Sequence, residues 1–263
     1  MKRFFRSPAP PIAALVVAAG LLAAACGSGE RLGSAPPASA TASGSSLSPS
    51  ATPALVDLFD GSLQAGTTYF NDDTRVDGPR WVVLTVPAAG WVSNDWILFK
   101  NLPGSSDSHV IALSTWTIGN LKTDPCHWKA GALDPPVGAT VGDLAAGLLK
   151  QPGPAAGKSA DVTLGGYRGQ KVEFSIPSDF HASSCDEGVF ARWEAASEPG
   201  DWGGWIYGAG MRNAVYIIDV DGRTVVIDTM SLPAASATDL AELGQVIASI
   251  RFEPRPSSPS RSP

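Results

Sequence analysis

The chain is poor in the side chains that most enzymes and metalloproteins depend on. Among its 263 residues are only three His, three Cys and three Met, and charged residues make up 17%. There is no His-Glu-x-x-His run and no metal-ligand pair at helical spacing, so no metal is expected. No Gly-x-Ser-x-Gly elbow occurs, which leaves Gly104-Ser105-Ser106-Asp107-Ser108-His109 without the strand-to-helix turn a serine nucleophile uses. Gly165, Gly166 and Gly169 fall within a hairpin pattern rather than between strand and helix, so a phosphate cradle is excluded and no cofactor is expected. Positive charge is also scarce: 19 Lys and Arg stand against 25 Asp and Glu, a net of −6. That balance excludes a nucleic-acid partner. The one pronounced apolar run, Ile12 to Ala25, is too short to span a bilayer.

That run follows Lys2, Arg3 and Arg6, and together they form an export signal over residues 1–25. It closes on Leu21-Leu22-Ala23-Ala24-Ala25-Cys26-Gly27, which resembles a bacterial lipobox with Ala23 where Leu is commonest. Cys26 is therefore the expected lipidation site and the membrane contact. Residues 26–53 are dominated by Ser, Ala, Thr, Gly and Pro and supply no core, so they read as a tether with a reach on the order of 25–30 Å. A single domain is expected over 54–253, with a structureless tail at 254–263. Without the three leader cations, 16 basic side chains remain against 25 acidic ones, a net of −9.

With Cys26 carrying lipid, Cys126 and Cys185 remain. In an exported chain an even pair points to one disulfide. The competing reading is thiol or metal chemistry with His127 and His181, which a bridge would remove.

The strongest local pattern is Met211 to Met230, two β-branched and aromatic runs around Asp221-Gly222. This dipeptide suits a two-residue turn with positive φ. Such a turn pairs Val220 with Arg223, Ile218 with Val225 and Tyr216 with Ile227 on a buried face. Asp219, Thr224 and Asp228 go to the other face with Ile217 and Val226, half covered by another element. An EF-hand reading of Asp219-Val-Asp-Gly fails, because Gly comes fourth and strands flank it. Further strands are expected over 80–87, 96–100 and 110–118, and a second hairpin over 161–177 around Gly165-Gly166. Thr140 with Asp143, and Ser236 with Asp239, open two helices. Val141, Leu144, Ala145 and Leu148 share a face of the first. Leu240, Leu243, Ile247 and Ile250 form the stripe of the second, opposite a wet side with Glu242 and Gln245. Strand runs broken by a few helices predict an α+β fold with a mostly antiparallel sheet.

The Val-Pro-Ala-Ala-Gly-Trp91 turn, the Gly-Gly-Tyr167 hairpin, the late hairpin and the ending Ile-Ala-Ser-Ile-Arg-Phe252 together resemble the PsbP-like fold. That resemblance implies an antiparallel sheet sandwiched by helices, and an accessory binding protein rather than an enzyme. Leu-Gly-Gly-Tyr-Arg-Gly-Gln, Cys185-Asp-Glu-Gly-Val-Phe-Ala-Arg-Trp193 and Asp219-Val-Asp-Gly-Arg resemble exported actinobacterial-type proteins of unassigned activity. No functional residue transfers from either likeness.

The candidate ligand-binding residues are Trp193, Trp202, Trp205 and Tyr207, on and beside a Gly-rich loop whose flat rings suit a sugar, a lipid or a partner's side chain. The competing reading plugs them into the end of the sheet beside the disulfide. Asn71-Asp72-Asp73 with Asp77 reads as a solvated acidic loop. The function expected is a lipid-anchored, non-catalytic module on the outer face of the cytoplasmic membrane, binding a small ligand or an envelope protein. The alternatives are an exported hydrolase using acidic residues such as Asp186 and Glu187 in a cleft, and a structural envelope protein without a pocket.

Overall fold

A computed structural model describes residues 55–58, 60–71, 80–94, 97–101, 109–153, 156–197, 202–205 and 208–255. Cys26, the tether, Asp72, Asp73, Asp77, the 104–108 segment, Tyr207 and residues 256–263 lie outside them. With strands numbered in chain order, β13 (Arg212–Val220) and β14 (Arg223–Ser231) form the late hairpin. Its turn has φ of 54° at Asp221 and 80° at Gly222, the doubly positive pair that matches the strand twist. The register is the expected one: Val220 opposes Arg223, Ile218 opposes Val225 and Tyr216 opposes Ile227.

This hairpin lies inside an eight-stranded antiparallel sheet. The order is β2 (Gly61–Ser62), β5 (Val92–Asn94), β6 (Ile97–Asn101), β7 (His109–Trp116), β14, β13, β10 (Tyr167–Ser175) and β9 (Ala156–Leu164). β9 and β10 form the second expected hairpin, turning on Gly165 and Gly166, both with positive φ. Ile217 and Val226 are fully buried, so the hairpin's second face is covered more completely than expected.

The covering elements are largely other strands. A second sheet, β1 (Val56–Asp57), β3 (Thr68–Asn71), β4 (Arg80–Thr85) and β15 (Arg251–Pro254), packs with α2 (Ala237–Ser249) on the face carrying Ile218, Val220, Val225 and Ile227. On the opposite face lie α1 (Val141–Lys150) and a small sheet of β12 (Trp202–Gly203), β11 (Trp193–Ala195) and β8 (Ile118–Leu121). Among the described residues strands account for 46% and helices, short 3-10 turns included, for 18%. The fold is therefore mostly β, and this corrects the expected α+β class and its PsbP-like α/β/α sandwich. Strands β1, β2, β3, β5, β8, β11, β12 and β15, each two to four residues long, are too short for alternation to register in a sequence, and they add to the strands that were expected.

Both helices start where their caps predict. Thr140 Oγ1 accepts from Asp143 N at 3.2 Å, and Ser236 with Asp239 makes a reciprocal capping box. Leu144, Ala145 and Leu148 of α1 are buried as expected. α2 differs: its buried residues are Leu243 and Val246, while Leu240 is 43% exposed. Glu242 is not on a wet side, because its carboxylate accepts from Trp91 Nε1 at 3.0 Å and pairs with Lys100 at 2.8 Å. The helix ends at Ser249, and Arg251–Pro254 returns as a strand beside β4.

The Cys126–Cys185 disulfide is formed, with Cα atoms 4.5 Å apart. It borders a third apolar cluster of Ile176, Cys185, Phe190 and Met211. No helix among the described residues is long and apolar enough to cross a membrane.

Candidate functional site

The register of the large sheet decides where its main opening lies. Ser175, Arg212 and Ser231 oppose one another in one row across β10, β13 and β14. The next row is Glu173, Ala214 and Thr229, and the one after it places Tyr216 between Lys171 and Ile227. All of these point to the α2 face. α2 does not cover them fully. Between the helix and these rows runs an open groove of about 580 Å³, walled by Leu240, Leu243, Gly244 and Ile247 of α2, with Ala214 and Tyr216 on its floor. These helical positions recur at i, i+3, i+4 and i+7, a single ridge. The apolar stripe of α2 is thus wider than the contact the helix makes.

Charge gathers at one end. Lys158, Glu173 and Arg212 line the groove, and Glu173 pairs with Lys171 at 2.7 Å and Lys158 at 3.3 Å. The hydrogen bond from Lys171, followed by that from Lys158, lowers the Glu173 carboxyl below its ordinary range. Burial raises the Tyr216 phenol.

On the opposite face of the same strands a polar chain is buried. Arg192 is 2% exposed, and its guanidinium lies 3.6 Å from the Phe174 ring centroid. It donates to Asn213 Oδ1 at 2.8 Å, and Asn213 Nδ2 donates to Asp228 Oδ1 at 2.6 Å. Burial lowers Arg192 to about 10 and raises Asp228 to about 7. Asp228 borders a small cavity of about 30 Å³ with Ser114, Trp116, Gly204 and Trp205, room for roughly one water.

The aromatic candidates divide. Trp193 is fully buried, edge-on to Trp116 at 6.2 Å, in the core between the sheet and α1. Its ring is out of reach of any ligand from solvent. Trp202 and Trp205 are half-buried, with Trp202 stacked on Trp128 at 4.2 Å and Trp205 Nε1 donating to the Trp202 carbonyl. Trp128 itself donates to the carbonyls of Asp186 and Val189, so the stack caps the loops joined by the disulfide. Tyr207 is outside the described residues.

The acidic pair offered for hydrolysis is engaged elsewhere. Glu187 pairs with Lys129 at 2.7 Å, Asp186 accepts from the Lys129 amide at 2.9 Å, and neither lines the groove. Among the described residues there is no group of three or more His, Cys, Asp or Glu able to hold a metal.

No family model matches this chain, and no curated protein does. Among solved structures it is similar to LpqN, described as involved in cell envelope biogenesis of Mycobacterium tuberculosis. The identity is 13%, covering 74% of this chain and 91% of that one, with a TM-score of 0.33. A likeness this distant carries no conclusion about function, and the PsbP-like fold is not shown.

Arg212, Leu240 and Gly244 are the site residues missed in the sequence, although a signal was there. The Asp221-Gly222 register puts Arg212 on the same face as Tyr216, and a cation at the end of an otherwise buried row marks where covering stops.

Proposed function

We propose that the chain is a non-catalytic binding module, held at the outer face of the cytoplasmic membrane by lipid on Cys26, with the groove beneath α2 as its ligand site. One observation carries the reading: Leu240 and Ile247 of α2 stand open over a groove of about 580 Å³ that the buried Leu243 also borders. That volume falls in the range of small-molecule sites, roughly 300–1,000 Å³. An apolar wall with charge at one end suits an elongated amphipathic ligand. The engagement of Asp186 and Glu187 in surface pairs favours binding over hydrolysis, and the open groove favours it over a purely structural role.

Gly244 supplies the test, because a Cβ placed there meets no atom within 4 Å. A leucine at 244 projects into the groove without striking packed atoms. The expected result is saturable binding of the uncharged dye N-phenylnaphthylamine by the full chain, lost in Gly244→Leu at a melting temperature no lower than the parent's. Binding that is absent, or indifferent to Gly244→Leu, overturns the reading. The anchor is checked separately by labelled palmitate, which Cys26→Ser should no longer incorporate.

A further inference from the structure

Resting on the groove as ligand site, we propose that its ligand is a single-chain amphiphile with a carboxylate head, the head bound by Arg212 and the chain lying under α2.

The charged end of the groove is arranged for an anion. Arg212 is exposed, and among the described residues no hydrogen bond or ion pair engages its guanidinium. Ser175 and Ser231 oppose it in the same row, one on each neighbouring strand, Ser175 exposed and Ser231 buried. A guanidinium presents a planar fork that matches a carboxylate's two oxygens. The surroundings add to this. Lys158 and Arg212 line this mouth with Glu173, whose carboxylate also pairs with Lys171, in a chain where acidic residues exceed basic ones. Glu173, in the next row on β10, already pairs with both Lys171 and Lys158. That leaves Arg212 as the lining cation without a partner among the described residues, and one guanidinium fork matches the two oxygens of one carboxylate head.

The direction of the tail follows from the strand order of side chains. Moving inward from Arg212 on β13, the same face presents Ala214 and then Tyr216, and α2 opposes them with Leu240, Gly244 and Ile247. The residues facing each other there are small, Ala214 on the floor and Gly244 on the helix wall, and a Cβ placed at Gly244 would meet no atom within 4 Å.

The experiment is equilibrium dialysis of the full chain against labelled dodecanoate, dodecanol and dodecyl phosphate, each below its micellar concentration. Dodecanoate should bind at least about tenfold more tightly than dodecanol, the weight of one charge-assisted hydrogen bond. Arg212→Gln should erase that preference while leaving dodecanol binding unchanged, and Gly244→Leu should abolish binding of all three. If dodecanol binds as well as dodecanoate, or Arg212→Gln leaves the preference intact, the head-group assignment falls and the groove survives as a ligand site. Tighter binding of dodecyl phosphate than of dodecanoate overturns the carboxylate in favour of a phosphate head. If Gly244→Leu changes nothing, the groove reading falls as well.

Discussion

Replacing Cys126 and Cys185 together by Ser tests how the Trp-capped end of the molecule is held. The bridge spans 59 residues of sequence. In the chain-entropy model a closed loop of that length lowers the freedom of the unfolded chain by about 4 kcal/mol. The folded state has other ties at the same place. Asp186 N donates to the Cys126 carbonyl at 2.8 Å, Ala191 N to the Pro125 carbonyl at 2.9 Å, and Lys129 N to Asp186 Oδ2. These bonds keep the two segments paired without sulfur, so the loss is expected to act through the unfolded state. For a domain of this size the double variant should melt roughly 8–16 °C lower. Near-UV circular dichroism from the Trp128–Trp202 stack should persist below the transition, and the urea m-value should rise as the unfolded chain expands. A melting temperature within about 2 °C of the parent, with an unchanged m-value, would refute the reasoning. Loss of the near-UV signal at low temperature would show instead that the bridge holds the folded loops themselves.

Two further outcomes follow from single residues. Burial raises Asp228 to about 7 from an ordinary 3.8, so the unfolded chain ionises it before the folded protein does. Its contribution is complete below pH 3.8 and lost as pH rises to about 7, with a ceiling of about 4 kcal/mol. Asp228→Asn, which retains an acceptor for Asn213, should flatten that fall; urea titrations at pH 4 and pH 8 that remain parallel to the parent's would sink the assignment. Gly222→Val meets open space, yet places a β-branched residue at φ 80°. It should cost about 1–2 kcal/mol in urea unfolding, and a loss under about 0.5 kcal/mol would contradict the turn argument.

The local chemistry was legible because it is carried by neighbours in sequence. Asp221-Gly222 and Gly165-Gly166 set two hairpins and their registers, since only positive φ at adjacent residues closes such turns. Thr140–Asp143 and Ser236–Asp239 set two helix starts, because a cap and its partner lie three residues apart. The cysteine count, together with an export signal, gave the bridge between Cys126 and Cys185. What depended on distant partners was not legible. The short strands β1, β2, β5 and β12 are set by hydrogen bonds to neighbouring strands rather than by a local pattern, and the chain is mostly β where α+β was expected. Trp193 and Trp202 look alike along the chain, yet the first is enclosed by Trp116 and α1 while the second stacks near the surface on Trp128. The groove is the clearest case. The amphipathic stripe of α2 was plain from its spacing, but how much of that stripe the sheet covers depends on where the helix docks. Tertiary packing buried Leu243 and Val246 and left Leu240, Gly244 and Ile247 standing over Arg212 and Tyr216.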